Sequence, residues 1–234
     1  MHKLMSIAEK IRLDFDRRTA SRDEALAEAR QLTRACSLAI RAVHRDDNAS
    51  MLEQLAEARR LAGALTKGLK EHPDLYYAGY TQDALKEFVE ANVTCALIKN
   101  QPLPPPDDLG VTGFTYLNGL AEVVGELRRK ALDILRHGYS QEAERLLTIM
   151  DDIYSVLVTI DYPDAITNGL RRQTDLARGI IEKTRGDMTF SLRGEHLEQA
   201  MSRLSAQLGA APTGNADSPV IDTRRAQPEG EDQA

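Results

Sequence analysis

Asp83-Ala-Leu-Lys-Glu-Phe-Val-Glu-Ala-Asn-Val-Thr-Cys-Ala-Leu-Ile-Lys99 is the segment on which the reading of the fold turns. Apolar residues recur almost all the way round its helical projection, the pattern of a helix enclosed by other helices. Glu87 and Glu90, three apart, share a face with Ala84, Ala91 and Thr94. A carboxylate buried without a partner costs several kcal/mol or takes up a proton. The segment therefore requires a compensating group close by.

Working outward, a second helix is expected from about Thr115 to His137. Glu122 and Glu126, four apart, lie on a stripe with Asn118, Gly119 and Gly125, while Leu120, Val123, Val124, Leu127 and Ile134 form the opposite face. A glycine inside a helix costs roughly 1 kcal/mol relative to alanine. Two of them beside acids predict that another backbone approaches there. Between the segments, Gln101-Pro-Leu-Pro-Pro-Pro-Asp-Asp-Leu-Gly110 cannot be helical through its prolines and reads as a linker. Joined by it, the two glutamate helices are expected to pair antiparallel, with their acids facing one another.

Four carboxylates brought together must share protons, pair with basic side chains, or bind hard cations such as Mg²⁺. Two divalent ions would balance the charge, and two metals about 4 Å apart is an arrangement that hydrolyses phosphodiesters. The spacing fits equally well with Glu87 and Glu90 pairing to Lys86, Arg128 or Arg129, or reaching solvent, because ion-pair networks mimic active sites.

The rest of the chain reads as helix after helix. The first spans about Ser6–Val43, with a capping box at Ser21-x-x-Glu24 and an interruption near Thr19; a second box, Ser50-x-x-Glu53, opens the next helix, which ends before Pro73. Asp74-Leu-Tyr-Tyr-Ala-Gly-Tyr80 reads as a short helix or turn. Beyond Gly138 come helices over about Ser140–Thr159, Ala165–Arg193 and Glu195–Leu208. The expected fold is all-α, an up-and-down bundle of about seven helices over residues 1–208. Residues 209–234, rich in Gly, Ala, Pro, Ser and charge, are expected to be a disordered tail.

Composition narrows the function. In 234 residues, 30 Lys and Arg against 36 Asp and Glu leave a net charge of −6, so any nucleic-acid site must be a local basic patch. Cys36 and Cys95 lack metal-ligand spacing and read as core residues of a reduced, cytoplasmic protein. No stretch is apolar for long enough to span a membrane, and no membrane partner is expected. None of the five histidines stands three after a glutamate, which excludes a ferritin-like di-iron bundle; glycine-rich nucleotide loops, a serine nucleophile elbow and zinc ligand sets are also missing.

Leu85-Lys-Glu-Phe-Val-Glu-Ala91, Tyr116-Leu-Asn-Gly-Leu-Ala-Glu-Val-Val-Gly-Glu-Leu127 and Ser191-Leu-Arg-Gly194, in this order and with this linker, resemble the translin/Trax family of all-helical nucleic-acid-binding proteins. The likeness runs from about residue 10 to 194. Its four acids resemble those of Trax-type members, in which they form a Mg²⁺-dependent ribonuclease centre; translin-type members have lost most of them and serve as binding scaffold. The resemblance thus implies Glu87, Glu90, Glu122 and Glu126 as catalytic, metal-binding carboxylates, with Glu126 in a supporting place as fourth ligand, and Mg²⁺ or Mn²⁺ as cofactor. At Glu122 the family typically carries aspartate, one methylene shorter. The same resemblance implies RNA, and single-stranded DNA, as partners, enclosed by a homo-oligomer expected to be an octamer.

Arg17, Arg18, Arg22, Arg30, Arg34, Arg41 and Arg45 along the first helix read either as cations that meet phosphates or as a solvated face in contact with Glu24 and Glu28. Arg171, Arg172, Arg178, Lys183 and Arg185 form a second group, and Tyr76, Tyr77 and Tyr80 are either base-stacking or packing residues.

Overall fold

A computed structural model of the chain describes residues 1–209; the expected tail lies, beyond Gly209, outside the described residues. The described residues fall into two units, Met1–Glu195 and a second that begins at His196. Every regular element among the described residues is a helix, with no strand, as the pattern predicted. No helix among them is long and apolar enough to cross a membrane.

Six long helices and three single turns make up the described residues. They are α1 His2–His44, α2 Asn48–Gly68, α3 Pro73–Tyr76, α4 Gly79–Ile98, α5 Pro106–Leu109, α6 Gly113–Leu135, α7 Gln141–Val158, α8 Asp164–Thr167 and α9 Leu170–Gly209. α1 runs without the break expected near Thr19; Ser21 lies inside it, and its hydroxyl meets the His72 ring at 3.3 Å. Only the second half of α1 is packed, through Ala25, Ala29, Leu32, Cys36, Ala39, Ile40 and Val43 at helical spacing. The first half leaves Leu4, Ile7, Ile11 and Phe15 exposed. α2 starts earlier than its serine suggested. Asp47 caps it by accepting from the Ser50 amide at 3.1 Å, which places Ser50 within the first turn. In the proline linker, Pro106 begins the single turn α5, which Gly110 ends at φ 66°. A left-handed pair, Asn168 at φ 51° and Gly169 at φ 83°, separates α8 from α9; no second break follows at Gly194.

The α4 segment is enclosed as its composition required, with Leu85, Phe88, Val89, Val93 and Leu97 all in the core. Its pairing with α6 is parallel, which corrects the antiparallel expectation. Gln82 accepts from Thr115, Lys86 pairs with Glu122, and Lys99 and Lys130 meet on Asp46, so early residues match early ones and late match late. The reason is the reach of the linker. α4 is 20 residues long, about 30 Å at helical rise, and the 14 residues 99–112 between α4 and α6, with the α5 turn kept helical, can extend over roughly 40 Å, enough to return along it.

Gly119 sets how closely the two helices approach. A Cβ at this position would lie 2.7 Å from Val89 Cβ and 2.9 Å from the Lys86 carbonyl. Gly125, expected to do the same, faces open space. One glycine, one full turn before Glu122, creates the contact.

Candidate metal centre

Parallel pairing puts Glu87 and Glu90 of α4 opposite Glu122 of α6. One carboxylate oxygen from each of these three lies within 4.8 Å of the others. All three are half-buried at the α4–α6 seam. Such proximity has a charge consequence. Burial, then Glu87, Glu122 and Glu126, push the Glu90 carboxyl up to about 8. Burial and Glu122 raise Glu87 as well.

The basic side chains have gone elsewhere. Lys86 Nζ donates to Glu122 Oε1 at 2.7 Å; burial acts to lower its pKa, but that bond and the nearby acids outweigh burial and raise it. Arg128 pairs with Asp187 at 2.8 Å. Arg129 reaches Glu126 at 3.5 Å. Among the described residues Glu87 and Glu90 therefore have no hydrogen-bonded basic partner, and there the ion-pair alternative applies to Glu122 alone of the three.

Glu126 is adjacent but set apart. Its Oε2 accepts from His44 Nε2 at 2.6 Å, and this bond above all holds its carboxyl below the ordinary range. The His44 side chain is only 3% exposed. Its Nδ1 has no partner among the described residues. Sequence reading missed His44 because it lies 82 residues from Glu126 on a different helix; its place in the last turn of α1, a helix packed on α4, is the only signal it leaves. Gln173 was missed too, and its Nε2 lies 3.4 Å from Glu122 Oε1.

The donor set consists of carboxylate oxygens, which suit Mg²⁺ or Mn²⁺ rather than softer ions. Two of the three carboxyls are raised by burial and mutual repulsion, so a cation between them would relieve an existing cost. Glu87, Glu90 and Glu122 can therefore hold a divalent ion, and Glu126 can serve at its edge. Beneath them lies Cys36, a buried free thiol raised by burial and by Glu87 and Glu90.

The arginines fall into two groups. Arg18 is paired with Asp74, Arg22 with Asp23 at 3.1 Å, and Arg17 donates to the Leu13 carbonyl at 3.2 Å. Arg30, Arg34, Arg41 and Arg45 have no such partner among the described residues, and Arg30 lines a groove between α1 and α4 whose other wall includes Tyr80 and Glu87. Tyr76 and Tyr77 meet edge to face at 5.0 Å, with Tyr76 packed against the core and Tyr77 exposed. In the second basic group, Arg185 is tied to Asp151 at 2.8 Å, while Arg171 and Arg172 line a groove of about 990 Å³ that contains none of the four glutamates.

No protein-family model matches the chain. Over 189 residues it is 33% identical to an uncharacterised protein of Methanocaldococcus jannaschii, a match covering 80% of this chain and 83% of that one. Among solved structures it is similar to AfC3PO, both alone and in a complex with duplex RNA. Each comparison gives 33% identity, a TM-score of 0.74 and 80% coverage of this chain, with 97% of the AfC3PO chain covered in the first and 96% in the second. Apo-NeC3PO, at 23% identity and a TM-score of 0.72 over 78% of this chain and 96% of its own, shares the fold. With the acid-bearing helices, their linker and the C3PO likeness in agreement, the chain belongs to the translin/Trax family.

Proposed function

We propose that this protein is a divalent-cation-dependent endoribonuclease, acting on single-stranded or small structured RNA inside a homo-oligomeric shell. The observation that carries the reading is the convergence of one carboxylate oxygen each from Glu87, Glu90 and Glu122 to within 4.8 Å, two of these acids being without a hydrogen-bonded basic partner among the described residues. The similarity to AfC3PO, a protein solved with duplex RNA, supports RNA as the ligand.

In this reading Glu87, Glu90 and Glu122 hold Mg²⁺, with Mn²⁺ as a substitute. Bound there, the ion supplies Lewis-acid stabilisation of the negative charge that builds up during in-line attack of water on a phosphodiester. Glu126, kept ionised by His44, orients the attacking water by accepting one of its hydrogens. Arg30, on the groove wall leading to Glu87, meets a backbone phosphate, and Arg34, Arg41 and Arg45 extend that track along α1.

The exposed stripe Leu4, Ile7, Ile11 and Phe15 supports assembly, because an apolar helix face of this length in one chain is suited to burial against another. An octamer is the expected state. Sedimentation at micromolar concentration that finds only monomer overturns this part.

One observation favours a second reading, a non-catalytic RNA- or DNA-binding shell: the Lys86–Glu122 ion pair neutralises one acid without any metal. Labelled RNA incubated with Mg²⁺ or with chelator separates the two. Glu90→Gln and Glu122→Gln are expected to abolish Mg²⁺-dependent cleavage while leaving RNA affinity within a few-fold of wild type. Cleavage retained in both variants refutes the nuclease reading.

A further inference from the structure

Beside the acid cluster, on the far side of Lys86, the seam opens into a polar cavity of about 100 Å³, lined among others by Lys86, Phe114, Asn118, Asn168 and Gln173. Two of these residues also belong to the acid site: Lys86 at 2.7 Å and Gln173 at 3.4 Å share the same oxygen of Glu122. The cavity and the carboxylates are therefore contiguous.

Three amide side chains in the cavity wall have hydrogen-bonding capacity to spare. Asn118 spends its amide on the Phe114 and Thr167 carbonyls, at 2.8 and 2.9 Å, which leaves its Oδ1 without a protein partner among the described residues. Gln173 uses one amide hydrogen in a long bond to Glu122, and its Oε1 has no protein partner among the described residues. Asn168 makes no side-chain bond among the described residues and stands on a left-handed backbone at φ 51°, between α8 and α9. An aromatic ring, that of Phe114, lines the same cavity.

Neighbouring donors and acceptors on planar amides match the edge of a nucleobase, which presents donor and acceptor atoms side by side. RNA sequence is read on bases lifted out of the stack, by amide contacts to the edge and by aromatic contact to the face. A phosphate fits less well, because Asp83 also lines the cavity. We propose that this cavity is a base-recognition subsite, taking the unpaired base of a nucleotide next to the phosphate at the acid cluster. Asn168 and Gln173 are its specificity-determining residues, and Lys86 contacts the sugar-phosphate between base and carboxylates. The inference rests on the RNA-binding part of the reading above and deepens it by making one nucleotide position selective.

The test uses the full-length protein in chelator, where no cleavage occurs, and measures binding of fluorescein-labelled oligo(A), oligo(C) and oligo(U) eight-mers by anisotropy. Wild type is expected to discriminate between the tightest and weakest oligomer by fivefold or more. The double variant Asn168→Gly, Gln173→Ala is expected to reduce that ratio below twofold, chiefly by weakening the tightest oligomer. Glycine keeps the left-handed backbone available at 168, and an unchanged melting temperature confirms folding. Should the double variant unfold, Gln173→Ala alone, on the partly exposed face of α9, is expected to halve the ratio at least. Wild-type binding of all three within twofold, or undiminished discrimination in the folded variant, overturns the subsite. Wild type that binds no RNA overturns both the subsite and RNA binding. Discrimination without Mg²⁺-dependent cleavage leaves the subsite standing and removes only the nuclease reading.

Discussion

Lys86 Nζ lies 2.7 Å from Glu122 Oε1, so the third carboxylate of the cluster carries its own counter-charge while Glu87 and Glu90 do not. A divalent ion entering the cluster must compete with that ammonium for Glu122. Lys86→Met is therefore expected to lower the Mg²⁺ concentration needed for half-saturation several-fold. The same change makes the metal-free protein less stable, since it leaves Glu122 unpaired beside two other acids. Calorimetric titration with Mg²⁺ and melting in chelator measure the two effects. Unchanged or weaker Mg²⁺ binding contradicts the competition.

Glu90 makes the metal-free protein sensitive to alkali. Its folded-state carboxyl stands near 8, above the ordinary value of 4.5, so folding favours the protonated form. The resulting stability is fully present below about 4.5 and is lost as pH rises through about 8. In chelator, the melting temperature is expected to drop by several degrees between pH 6 and pH 9. Glu90→Gln should flatten that drop, and millimolar Mg²⁺ should reverse it in the wild type. A wild-type profile as flat as that of the variant contradicts the raised carboxyl.

His44 acts on Glu126. Replacing it by leucine removes the bond that holds the Glu126 carboxyl low, a loss only partly offset by removal of the unpartnered Nδ1, so the fold is expected to lose about 1–2 kcal/mol at neutral pH. Loss of the bond frees the Glu126 carboxylate, and Mn²⁺ affinity measured by electron paramagnetic resonance is expected to fall several-fold in His44→Leu. Glutamine keeps an N–H at a similar reach and should restore most of that affinity. Equal affinities in all three proteins show that Glu126 needs no positioning.

The two α6 glycines should respond oppositely to alanine. Gly119→Ala drives a Cβ to within 2.9 Å of a backbone carbonyl and is expected to destabilise the fold by about 1–3 kcal/mol. Gly125→Ala meets open space and is expected to stabilise α6 by up to about 1 kcal/mol. Urea unfolding of both variants settles the sign in each case.

Much of the site was legible because helical spacing converts directly into faces. Glu87 with Glu90, and Glu122 with Glu126, share stripes whatever the tertiary structure, and the enclosed character of α4 follows from apolar residues on every side. Pairing was harder to read. Residues 101–110 look like a turn between neighbours, yet only their extended reach decides whether α6 runs back along α4 or beside it. Gly119 and Gly125 are indistinguishable as sequence, since a stripe gives direction but not the height at which the other helix passes. Glu126 read as a fourth ligand, and its attachment to His44 depends on α1 ending at the same level, a long-range fact with no local signature. The arginines divide for a similar reason: Arg18 is engaged because Asp74, on the single turn α3, comes to it.

The parallel crossover makes the proline linker a ruler. A hairpin between glutamate helices would tolerate insertion or deletion at its tip, because the facing residues are set by the first contacts after the turn. Here the strap must span the length of α4 before α6 can begin, with only a few residues to spare. Deleting more than that slack drags the start of α6 along by a helical turn, about 5.4 Å, and brings Asn118 instead of Glu122 level with Glu87. Chain length at a site devoid of catalytic side chains thus sets which acid completes the cluster, and lengthening 101–110 is the safer direction for engineering.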